Sequence, residues 1–82
     1  MSTEQSLIDE TNKWLEKIEP IVERIECHDS KGESMFNNMK AYISDAKHFL
    51  EAKDYVRAFE AVVWAWSIYE ICLDLGIFSV EQ

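Results

Sequence analysis

Apolar positions recur along this chain at the three-four spacing of a helix in three successive runs, and the third run differs from the other two. In the first, Ile8, Thr11, Leu15, Ile18, Val22 and Ile25 keep one phase, widened by Leu7, Trp14 and Ile21. This predicts a helix over about residues 5–27. Pro20 lies within it and removes the bond to the Glu16 carbonyl. The apolar phase passes through without a slip, so a single kinked helix is expected. CHDSKGE, from Cys27 to Glu33, breaks the pattern with the turn formers Asp29, Ser30 and Gly32. Phe36, Met39, Ile43, Ala46 and Leu50, widened by Met35, Tyr42 and Phe49, then predict a second helix over about residues 34–52.

The third run, DYVRAFEAVVWAWSIYEICLDLG, spans Asp54 to Gly76. Asp54 suits an N-cap and Gly76 a left-handed stop, with Ile77 placed to fold back, giving a helix over about residues 55–75. Tyr55, Phe59, Val62, Trp66, Tyr69 and Leu73 form its expected core seam. Glu60, Ser67 and Asp74 form a polar line away from that seam. Val56 and Val63 flank the line on one side, Trp64 and Ile71 on the other, where a monomer would meet water. Three explanations stand: the other helices cover these residues, a second copy does in a homodimer, or another protein partner does. Phe78 and Val80 make a short apolar tail that would cap the bundle or dock on a second subunit.

The link at Lys53 and Asp54 forces an antiparallel hairpin. The expected fold is therefore all-α, an antiparallel three-helix bundle in one domain over residues 1–82 with the third helix central. Tyr42, Ala46, Phe49, Tyr55, Ala58, Val62 and Ala65 fall near the spacings of a tetratricopeptide hairpin. Ala46, Ala58 and Ala65 would let the second and third helices approach closely. One such unit is no solenoid, and the motif's glycine and terminal proline are absent.

Charge narrows the function. Sixteen acidic residues against eight basic ones give a net charge of −8, with no basic cluster, which disfavours nucleic acid and anionic membranes. Glu60, Glu70 and Asp74 interrupt the most apolar run, so no membrane span is expected. Two cysteines and no apolar leader point to a reducing cytoplasm. At 82 residues the core is small enough for self-association to matter to stability.

Candidate chemistry is thin. Gly32 and Gly76 are the only glycines and make no phosphate-binding loop. Cys27, His28 and Asp29, with His48, are metal-capable, but adjacent ligands fit one tetrahedral ion poorly. Asp45 and His48 form a pair on the face opposite the second helix's seam, away from where a di-metal ligand must point. Arg24 and His28 approach an arginine-histidine nuclease motif with one residue too few between them. Cys72 reads as a core thiol, and in an up-down-up arrangement it shares a bundle end with Cys27, where a disulfide would depend on geometry. Trp14, Trp64 and Trp66 read as packing residues before they read as a ligand pocket.

The stretch YISDAKHFLEAKDYVRAFEAVVWAWSIYEICLDLGIF, Tyr42 to Phe78, and above all the run from Asp45 to Trp66, resembles a small archaeal family catalogued as domain of unknown function 357. The resemblance implies an archaeal, cytoplasmic, all-helical domain. It implies no activity and no functional residues. The reading that results is a non-enzymatic, self-associating interaction module without cofactor, metal or catalytic residues, its contact surface including Val56, Val63, Trp64 and Ile71. The alternatives are a metal-dependent enzyme using Cys27, His28 and His48, and an accessory domain of a larger enzyme.

Overall fold

The computed structural model describes residues 2–81, so the two ends of the expected 1–82 domain lie outside the described residues. Three helices, α1 (Thr3–Val22), α2 (Ser30–Glu51) and α3 (Tyr55–Asp74), are accompanied by two short strands, β1 (Ile25–Cys27) and β2 (Phe78–Val80). Helix α3 is central, packed most closely against α2 and also against α1, while α1 and α2 touch little. The molecule measures 42 × 22 × 18 Å.

Each helix starts on a side-chain cap. Ser2, Asp29 and Asp54 accept hydrogen bonds from the amides of Gln5, Gly32 and Arg57 at 3.0, 2.8 and 3.3 Å. These bonds satisfy N–H groups that the first turn leaves free. Helices α2 and α3 end alike. Lys53 and Gly76 take positive φ values of 63° and 76°. The following amides, of Asp54 and Ile77, donate back to the Phe49 and Cys72 carbonyls at 2.9 and 2.8 Å. This is the Schellman closure, which favours glycine at the left-handed position. Gly76 meets that preference, and Lys53 does so only against steric cost.

The first helix is shorter and the second longer than the sequence pattern predicts. Ile25–Cys27, expected as the last turn of the first helix, instead forms a strand paired antiparallel with Phe78–Val80, Ile25 opposite Val80 and Cys27 opposite Phe78. The Glu81 amide donates to the Arg24 carbonyl at 2.8 Å and extends the ribbon. The fold is therefore not purely all-α. Val22 and Ile25 satisfy a helical spacing, but Ile25 and Cys27, half-buried around exposed Glu26, satisfy a strand's alternation equally well. Helix α2 starts at Ser30 because Asp29 caps it. Pro20 lies inside a continuous α1, as the unbroken apolar phase requires. The apolar tail caps its own chain: Phe78 is buried and meets Phe36 edge-to-face at 6.1 Å.

The core is built from Leu15, Ile18, Met39, Ile43, Ala46, Ala61, Val62, Ala65, Ile68, Cys72 and Phe78. Of the seam expected for α3, Val62 is fully buried, Tyr55, Phe59, Trp66 and Tyr69 are half-buried, and Leu73 is exposed. Ala58, Ala61, Ala65, Ile68 and Cys72 occupy the centre instead. The reason is steric. Alanines, including Ala46 on α2, bring two backbones close together, and large rings are displaced to the margins of such a contact. Thr11 is buried on α1 and donates its hydroxyl to the Leu7 carbonyl at 2.7 Å, so it sits in the seam without an unpaired polar atom.

Candidate interaction surface

The outward side of α3 follows from its inward side. Once the alanine line is turned toward α2 and Val62 lies in the core, the residues roughly opposite on the helix are left partly exposed. Val56 is 60% exposed, Val63 44%, Trp64 57% and Ile71 57%. Coverage by the other helices, one of the three explanations open to the sequence, is thus only partial for all four. Leu73, expected in the core seam, and Leu75 are both exposed near the end of the helix. The signal for Leu73 was present: its neighbour Cys72 continues the small-residue line, and both cannot face the core.

The three tryptophans separate into two environments. Trp66 is half-buried, donates its indole N–H to the Trp14 carbonyl at 3.0 Å, and meets Trp14 edge-to-face at 5.5 Å. Trp14 in turn donates to the Glu10 carboxylate at 3.1 Å, with the Lys13 and Lys17 ammonium groups 5.1 and 4.8 Å from its ring centre. These two rings join α1 to α3. Trp64 instead lies outside, stacked on Tyr42 of α2 at 6.1 Å and 19°. Stacking fixes its ring without covering its outer face, which makes it a rigid apolar projection.

Among the open grooves that border the helix, two lie beside Val63 and Trp64. One, of about 310 Å³, runs between α1 and α3 beside Trp14, Val63, Trp66 and Glu70. The other, of about 460 Å³, runs between α2 and α3 beside Met35, Tyr42, Asp45 and Trp64. Both are lined mainly by apolar atoms.

The residues considered for metal or catalytic work are dispersed. Asp45 and His48 are exposed on α2, Asp45 beside the groove toward α3, and His28 is exposed in the turn after β1. Among the described residues, no group of three or more His, Cys, Asp and Glu side chains is placed to hold a metal ion. Cys27 and Cys72 are both free thiols, half-buried and buried respectively. Burial pushes the Cys27 thiol up, helped by the charges of Glu33 and Asp29 and opposed by Lys40. Burial also raises Cys72, with the nearby Cys27 adding to it and Lys31 opposing. A thiol held protonated is a poor nucleophile, so neither environment is of the activating type.

The fold defines a class: a small three-helix domain closed at one end by a two-stranded ribbon. The chain belongs to the family described as protein of unknown function (DUF357), whose model matches residues 8–78. It is also similar to the crystal structure of protein AF1782 from the archaeon Archaeoglobus fulgidus, itself of this family, at 49% identity and a TM-score of 0.89. The match covers 98% of this chain and 100% of that one. No curated protein matches the chain. Among the described residues, no helix is long and apolar enough to cross a membrane.

Proposed function

We propose that this domain is a non-enzymatic protein-interaction module that associates with itself through the outer face of α3. The observation that carries the reading is the exposed set Val56, Val63, Trp64 and Ile71 on one helix, with Trp64 held rigid by Tyr42. Aromatic side chains that are pre-ordered lose little entropy on binding and serve as anchors of interfaces. The four side chains together offer on the order of 400 Å² of apolar surface, about half of the roughly 800 Å² per partner of a standard interface. That supports a reversible, micromolar association more than an obligate one. A cytoplasmic location goes with this reading and is supported by the two unbridged thiols, which a reducing compartment preserves. The α2–α3 hairpin has the close alanine contact of a single tetratricopeptide unit, and here that contact supplies a stiff support for the α3 face.

Light scattering over a concentration series tests the proposal. The parent protein is expected to rise from monomer toward dimer mass, and Trp64→Asp to remain monomeric with unchanged helical content by circular dichroism. A parent that stays monomeric to millimolar concentration removes the reading. So does a Trp64→Asp variant that assembles as the parent does.

A further inference from the structure

We draw no further inference here: the strongest candidate, the exposed apolar face of α3 around Trp64, belongs to the surface already described, and nothing in the structure shows what covers it.

Discussion

At the scale of single residues, Gly32 shows a constraint that composition hides. It lies buried in the first turn of α2, where an added Cβ would meet the Ile77 carbonyl oxygen at 3.1 Å and the Ile77 side chain at 3.3 Å. Helix propensity alone would favour alanine there by about 1 kcal/mol. The crowding is against backbone, in a segment held by the Ile77 bond to Cys72, so it should outweigh that gain. Gly32→Ala is expected to lower unfolding stability by about 1 kcal/mol in urea titrations. The thiols make a second residue-scale case. Both have raised pKa values, so above the ordinary thiol value of 9.0 the unfolded chain releases these protons before the folded one. Stability is therefore full below pH 9 and falls as pH climbs through the raised folded values, which urea titrations between pH 8 and 11 would measure. Replacing both cysteines by alanine should remove that part of the slope.

At the scale of elements, the β1–β2 ribbon does more than join two ends of the chain. It carries Phe78 into the core against Phe36 and holds the turn between α1 and α2 in place. Phe78→Ala should cost about 3–5 kcal/mol, read as an earlier urea midpoint, because Phe78 is only 2% exposed and its removal leaves a cavity that a short ribbon cannot fill. The sequence pattern identified all three helices and the caps Asp54 and Gly76, since these are local matters of spacing and backbone preference. It missed the strands because β1 pairs with residues at the far end of the chain, and no local rule distinguishes Ile25 as the next helical position from Ile25 as the first residue of a strand.

At the scale of the whole molecule, the arrangement around α3 explains both the stable and the unsatisfied parts of the domain. With α1 and α2 each packed on α3 and in little contact with one another, one side of the central helix is left without a neighbour. A fourth element would close a bundle of this shape. On the reading proposed above a second copy's α3 does so with modest buried area, against the general repulsion of a net charge of −8 on each copy.

What the sequence determined by itself was the number of helices and the excess of apolar residues on the third, because each depends on spacing within one segment. It also marked Ala46, Ala58 and Ala65 as the close contact, since side-chain size alone permits that approach. Only the tertiary structure decided which side of α3 is buried. Tyr55, Phe59, Trp66 and Tyr69 have more apolar surface than Ala61 or Cys72 and so dominated the sequence pattern. Two helices at close range exclude large rings from their contact line, so the smaller residues took the centre and the rings moved to its edges. That rotation turned Leu73 outward, and with Trp64 stacked on Tyr42 it left a defined apolar face on the surface.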